Sequence, residues 1–282
     1  MQYLWLLVII VMISAQSVLS KQYDSMTKEA NIFFFSMVTS FVAMAFFIVQ
    51  SGFKLTFSMD YLLYSVGFGL SYVICMGTSF LAIIWGSMSI TGLVLAYSLV
   101  IPTFYGLFVL DENIGIIGML GIGCLLISIF LINDIKGECK FSLKYIICLL
   151  AAFVSNGMCS TIQKMQQLAC DGAYKNEFMI IALMISTVTF WGISLIRKEK
   201  VQGEIFLCAG LGALKGMANG IVNLLVMVLA GMIPNAILFP SVSAGGVVLS
   251  FVIAVTIYKE RLSKRQLLGY VIGTASVVML NL

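Results

Sequence analysis

Lys215 is the only charged side chain between Phe206 and Tyr258, in a stretch that is otherwise uncharged and largely apolar. An ammonium held in the middle of a membrane span costs roughly 2.5–3.5 kcal/mol on insertion scales and seldom faces lipid, so it needs a wet cavity or a partner. Asn219 and Asn223 follow at helical spacing and put two amides on the lysine's face. Beside this stripe run Gly212, Gly216 and Gly220, small residues that let a neighbouring helix come close. A cation flanked by amides suits an anionic group such as a carboxylate or phosphate. The same lysine would also be satisfied by backbone carbonyls at a helix break, or by snorkelling.

Other stripes share this character. Asn156, Ser160, Gln163 and Gln167 lie on one helical side, either lining a path or bonding helix to helix, with Asn156 the deepest and the preferred pocket residue. Ser14 and Ser17 face the same way as Lys21, although serine can also satisfy its own helix backbone. Tyr61, Tyr64, Phe68 and Tyr72 form an aromatic face that reads as packing or interface anchoring. Tyr72 is the exception, because a phenol within a span wants a partner and its ring could stack on a solute or hold an organic cation. Trp5, Trp85 and Trp191 read as interfacial anchors. Pro102 and Pro240 each remove a backbone bond inside a helix, and Gly245-Gly246 adds a soft point after the second, so these helices are candidate gates or simply kinked.

What is missing narrows the chemistry. There is no histidine, which removes histidine triads and most zinc sites, and no Gly-Lys-Ser/Thr phosphate loop. The seven cysteines are never spaced Cys-x-x-Cys and read as small apolar side chains. Asp60, Asp111, Asp134, Asp171, Glu177 and Glu204 all fall at span ends. The chain is therefore not expected to be an enzyme, nor to use a cofactor or metal. Its net charge of +4 suits loops beside anionic lipid rather than nucleic acid.

The elements that position these residues are membrane helices. With 61% apolar and 10% charged residues and a mean hydropathy of +1.08, a soluble globule would lack polar surface. Residues 1–20, 30–53, 61–110, 113–133, 145–163, 178–196 and 216–258 carry no charge. A bilayer core takes about 20 helical residues, so 61–110 and 216–258 must each hold two spans, turning near Trp85-Gly86 and near Gly231 to Pro234. Ten helices result, at about 3–20, 30–50, 60–84, 87–110, 114–133, 143–168, 176–196, 204–230, 234–258 and 266–282, because lipid admits only helices or closed barrels. Ala15-Gln16-Ser17 imitates a signal cleavage site, but no positive residue precedes the apolar run, so the first segment is expected to remain as a span.

The chain also repeats itself. Glu112 aligns with Glu260, Leu120 with Leu268, Gly121 with Gly269, Ser128 with Ser276 and Asn133 with Asn281 at a constant offset. Two five-helix halves, 1–134 and 135–282, are implied; an odd number of spans per half inverts the second, and such repeats usually build transporters. Lys21, Lys28, Lys136, Lys140, Lys144, Arg197, Lys198, Lys200, Lys259, Arg261, Lys264 and Arg265 fall in alternate loops, and Lys54, Lys164 and Lys175 in the others. The positive-inside rule then places both termini outside the cell.

Phe108-Val-Leu-Asp-Glu112 before a glycine-bearing helix, and Ile257-Tyr-Lys-Glu-Arg-Leu-Ser263 before Leu267-Leu-Gly-Tyr270 and a last helix, resemble the paired turns of the drug/metabolite transporter superfamily, with its EamA-type domain present twice. The family's turn commonly reads Gly-Glu; here Asp111-Glu112 and Lys259-Glu260 keep each glutamate and lose each glycine. The resemblance spans the whole chain and implies ten helices, a cavity between the halves and secondary transport of small metabolites by alternating access. Glu112 and Glu260 themselves read as helix N-terminal acids favoured by the dipole. Small multidrug exporters of that superfamily exchange protons for cations on a membrane-embedded glutamate, which this chain lacks. Amino acids or related carboxylate-bearing solutes are thus the expected substrates, ahead of a nucleotide-sugar or sugar-phosphate carrier, an organic-cation transporter, a non-transporting membrane binder or a lipid-modifying enzyme. The expected partners are the solute and the bilayer of a bacterial cytoplasmic membrane; one copy suffices for a path, and a homodimer is compatible with it.

Overall fold

A computed structural model describes residues 2–27, 31–85, 91, 94–95, 97–112, 115–132, 142–199, 205–256 and 263–280. Among them run α1 (Gln2–Thr27), α2 (Ile32–Gln50), α3 (Met59–Trp85), α4 (Val100–Val109), α5 (Ile116–Ile132), α6 (Leu143–Ala169), α7 (Lys175–Ile196), α8 (Ile205–Ala230), α9 (Asn235–Thr256) and α10 (Lys264–Leu280). No strand occurs among the described residues. Six of these helices contain segments long and apolar enough to cross a membrane: Gln2–Ser20, Ile32–Gln50, Met59–Ala82, Leu143–Ala169, Lys175–Ile196 and Ala209–Ala230. Leu7, Leu63, Phe108, Val188 and Leu214 expose their side chains, as lipid-facing positions do. The chain is an all-helical membrane protein.

Most helix ends lie within two or three residues of expectation. α1 is the exception, running seven positions past the expected Ser20 to Thr27. The onset of charge at Lys21 looked like an exit from the membrane, but Tyr23 is buried, stacks on Phe35 at 4.1 Å and donates from its hydroxyl to the Asn31 carbonyl at 3.1 Å. Packing carries the helix past its apolar run. Of the fourth expected span, only Val100–Val109 is described as a continuous helix. Gly86, Asn133, Glu260 and Asn281 lie outside the described residues, as do Lys28, Lys136, Lys140, Lys200, Glu204, Lys259 and Arg261.

The chain folds as two compact units, Met1–Val73 with Ile162–Gly231, and Ile74–Thr161 with Met232–Leu282, so that each draws on both halves of the sequence. In the first unit α2 packs against α7 and α8. The α8 glycines make the second contact: a Cβ on Gly216 would stand 2.6 Å from the Thr39 carbonyl oxygen, and one on Gly220 2.7 Å from the Phe46 ring. The order of these contacts shows α2 and α8 running parallel. Thr39 Oγ1 lies 3.4 Å from the Gly212 carbonyl oxygen and donates to it as well as to the Phe35 carbonyl.

α2 and α7 begin and end alike. Each starts after a left-handed residue, Asn31 at φ 60° and Tyr174 at φ 57°. α2 closes with Gly52 N donating to Val49 O and Phe53 N to Ile48 O; α7 closes with Lys198 N to Leu195 O and Glu199 N to Ser194 O. This is the same glycine-type C-terminal motif twice, with Gly52 at φ 62° in one and Lys198 at φ 51° in the other. A lysine there costs about 1–2 kcal/mol relative to glycine. The turn sets Glu199 beside the start of α2, where its carboxylate accepts from Phe33 N at 3.1 Å, Phe34 N at 2.8 Å and Ser194 Oγ at 2.8 Å. At the other end of the antiparallel pair, Glu177 in the first turn of α7 accepts from Thr56 N at 3.2 Å.

In the second unit α5 and α10 run antiparallel, and residues of the repeated motif meet across them. Ser128 Oγ donates to the Gly269 carbonyl at 2.7 Å, and Arg265 donates to the Phe130 carbonyl at 3.2 Å while lying over the Phe130 ring. The reciprocal serine turns inward instead, Ser276 donating to Gly273 O of its own helix.

The glycine contact yields a direct test. Gly216→Ala forces a Cβ onto the Thr39 carbonyl and should destabilise the protein by about 1–3 kcal/mol, whereas Gly210→Ala, with nothing within 4 Å of the added Cβ, should not. Melting of the two variants in detergent decides it; equal midpoints would refute the close α2–α8 approach.

Candidate functional site

The polar face expected on α8 is assembled in the first unit. Asn223 Nδ2 donates to the Asn219 carbonyl and to Asn219 Oδ1, both at 2.9 Å. Gln163 Nε2 of α6 donates to Asn223 Oδ1 at 2.8 Å, and Asn219 Nδ2 donates to Gln16 Oε1 of α1 at 3.3 Å. Four amides from three helices thus form one chain, with Gln163 buried and Gln16, Asn219 and Asn223 half-buried. Nothing outside the protein needs to satisfy its internal links, so the chain can stand in an apolar interior at low cost. Gln16 drew notice in the sequence only as part of a cleavage-site imitation; no periodic signal on α1 marks it.

Lys215 lies on the same face of α8, one turn before Asn219. Its ammonium stands 5.0 Å from the centre of the Phe35 ring. The neighbouring Gly216 faces Thr39, so the side chain climbs one turn towards the start of α2 to reach Phe35. Cation–π attraction is worth about 0.5–2 kcal/mol depending on desolvation. Phe35 belongs to a cluster with Tyr23 and Leu211. The lysine thus has an aromatic partner on α2, from the α8 face that also carries the amides.

The sequence reading counts Lys164 among the loop charges although the sixth expected span, about 143–168, already contains it; the structure decides for the span. It lies in α6, only 6% exposed, and donates to the Ala230 carbonyl at 2.7 Å. Ala230 ends α8, where carbonyls lack helical partners and the dipole favours a cation, an arrangement worth up to ~2 kcal/mol when partly buried. Gln166 Nε2 donates to the Ala173 carbonyl at 2.8 Å, and its Oε1 accepts from Gln167 Nε2. These glutamines and the lysine tie down the ends of α6 and α8.

Asn156 has a different role from its stripe-mates and lies in the second unit. Its Nδ2 donates to Ser98 Oγ at 2.6 Å and to the Leu95 carbonyl at 3.3 Å, and its Oδ1 is 3.6 Å from the Cys75 thiol. Residues 98–99 form a turn before α4, with Ile101 N bonded to Ser98 O. Pro102 therefore stands in the first turn of α4, where its missing N–H costs nothing. Asn156 supplies donors to the stretch of backbone where the turn at 98–99 interrupts the helix. Pro240 by contrast sits within the continuous α9. Tyr72 stacks with Phe68 at 6.1 Å and meets the Phe190 edge at 6.4 Å, while Phe68 meets Phe178 at 5.6 Å. The aromatic face of α3 packs against α7.

No family model matches the chain, and no curated protein matches it. A solved crystal structure of a protein is similar over 99% of this chain and 95% of that one, with a TM-score of 0.80 at 15% identity. At that identity the likeness is one of fold.

Glu112 also finds its place. The sequence offered it as a helix N-terminal acid, and its carboxylate accepts from Ala236 N at 3.0 Å, at the start of α9. The dipole argument holds, but for a helix remote in sequence. Its main chain is folded back so that Glu112 N donates to Gly106 O at 3.0 Å, and the carboxylate occupies the place a Cβ on Gly106 would take. Gly106→Ala should therefore displace this cap and destabilise the protein. Glu112→Ala should cost about 1 kcal/mol by itself, and the double variant should be more stable than the sum of the two losses predicts. Thermal melts of the three variants measure this; strict additivity would show that the glutamate and the glycine do not interact.

Proposed function

We propose that this protein is a secondary transporter of small metabolites with two inverted five-helix repeats and ten membrane spans, of the drug/metabolite transporter kind. The matching starts and ends of α2 and α7, and the contact of Ser128 with its repeat-mate's Gly269, support the repeat. The observation that carries the function is the amide chain with Lys215 on the same face of α8. A structural helix contact needs one or two polar pairs; four linked amides exceed that, and Lys215 adds a cation one turn earlier on the same face of α8. That surface suits a carboxylate-bearing solute such as an amino acid, moved by alternating access. A chain placed in the cytoplasmic membrane with both termini outside accords with the loop charges, and moving Lys164 into α6 removes one charge from the opposing set. The organic-cation alternative would rest on the α3 rings, of which Phe68 and Tyr72 meet Phe178 and Phe190 of α7.

The experiment is uptake of labelled amino acids and organic acids by proteoliposomes. Saturable flux should be seen for a carboxylate solute and should fall roughly tenfold or more in Asn223→Leu, which leaves Gln163 and Asn219 without their shared partner. A solute that binds yet shows no flux would make the protein a membrane binder instead.

A further inference from the structure

The amide chain has a fixed sense, set by a group that has no choice. A backbone carbonyl can only accept, so the Asn223 amide that meets the Asn219 carbonyl must present Nδ2 to it. Asn223 Oδ1 is then the atom left facing Gln163, which has to donate. The same Nδ2 also donates to Asn219 Oδ1, so Asn219 turns its own Nδ2 towards α1, and Gln16 has to answer with oxygen. Turning round any one amide would bring two oxygens or two NH2 groups together. Every link therefore donates in one direction, from α6 through α8 to α1. The chain ends on Gln16 Nε2, for which no acceptor occurs among the described residues. Gln16 itself is half-buried. Aligned amides polarise one another, strengthening each bond by about 10–30%, and the terminal N–H gains from this.

We propose that Gln16 is a direct ligand-binding residue: its Nε2 donates to an oxygen of the solute's carboxylate or phosphate group, and the sense of the chain discriminates against an ammonium at that point. The inference rests on the reading of α1, α6 and α8 as a solute site, and adds to it a residue and a polarity. Lys215, on the α8 face that carries Asn219, favours the same sign of ligand.

Gln16→Glu tests it. The variant keeps an oxygen for Asn219 Nδ2 and nearly the same shape, but replaces the terminal donor with a second oxygen. Thermal shifts of purified wild type and variant would be recorded with L-leucine, 4-methylpentanoate, isoamylamine and inorganic phosphate. The wild type should be stabilised by leucine and 4-methylpentanoate if the acceptor is a carboxylate, or by phosphate if it is a phosphate, and not by isoamylamine. Gln16→Glu should bind the effective anion at least tenfold more weakly and gain a response to isoamylamine. Should Gln16→Glu fail to fold, Asn219→Asp serves, since an aspartate there can only accept and forces Gln16 to turn its oxygen outward; the same reversal of preference is expected. A wild type that answers to none of the four probes, or to isoamylamine alone, overturns the proposal, as does anion binding unchanged in the variant. Binding lost in Gln16→Glu for a solute that shows no flux in proteoliposomes overturns only the transport reading; flux unaffected by the substitution overturns only the role of Gln16.

Discussion

A helix in hydrocarbon can satisfy its own backbone, but not its ends, its breaks or its polar side chains, and no water is present to do so. That constraint governs almost every polar residue described here. Glu199 closes the start of α2, Glu112 the start of α9, and Lys164 the end of α8. Asn156 serves the interrupted backbone before α4. Each charge meets a helix terminus of opposite partial charge, so cost and remedy fall on the same contact. The amide chain differs because it ends on a donor that no helix terminus needs.

Close approach follows from the same solvent. Between apolar helices in lipid there is little hydrophobic driving force, so association rests on dispersion contact and on interhelical bonds. Gly216 brings α8 against the backbone of α2, and Thr39 spans the gap to the Gly212 carbonyl. In the other unit Ser128 reaches Gly269. Close contact places side chains as well: α8 can hold Asn219 and Asn223 near both Gln16 and Gln163 because its glycine side is pressed on α2.

Much of this was legible in advance because it is periodic. The helices announced themselves as uncharged runs of span length, and the α8 stripe as polar and small residues at intervals of a helical turn. Those signals depend only on one helix and its solvent. Where tertiary contacts took over, the reading slipped. α1 continues past Ser20 because Tyr23 packs on Phe35. Lys164 looked like a loop charge because its partner, the end of α8, is remote in the chain. The helix that Glu112 meets, α9, is likewise remote in the chain, and Asn156 parted from Gln163 although the two share a side of α6.

The sequence by itself determined the solvent, the class of fold and which residues would have to find partners, since hydropathy and helical period are properties of short stretches. Only the tertiary structure decided who those partners are. A hydrogen bond requires two groups within about 3 Å of each other, and nothing in the spacing of Gln16, Gln163, Asn219 and Asn223 along the chain shows that three separate helices bring them to that distance. The direction of their amides was further from view, for it is imposed by a single backbone carbonyl that every residue possesses and only this packing puts to use.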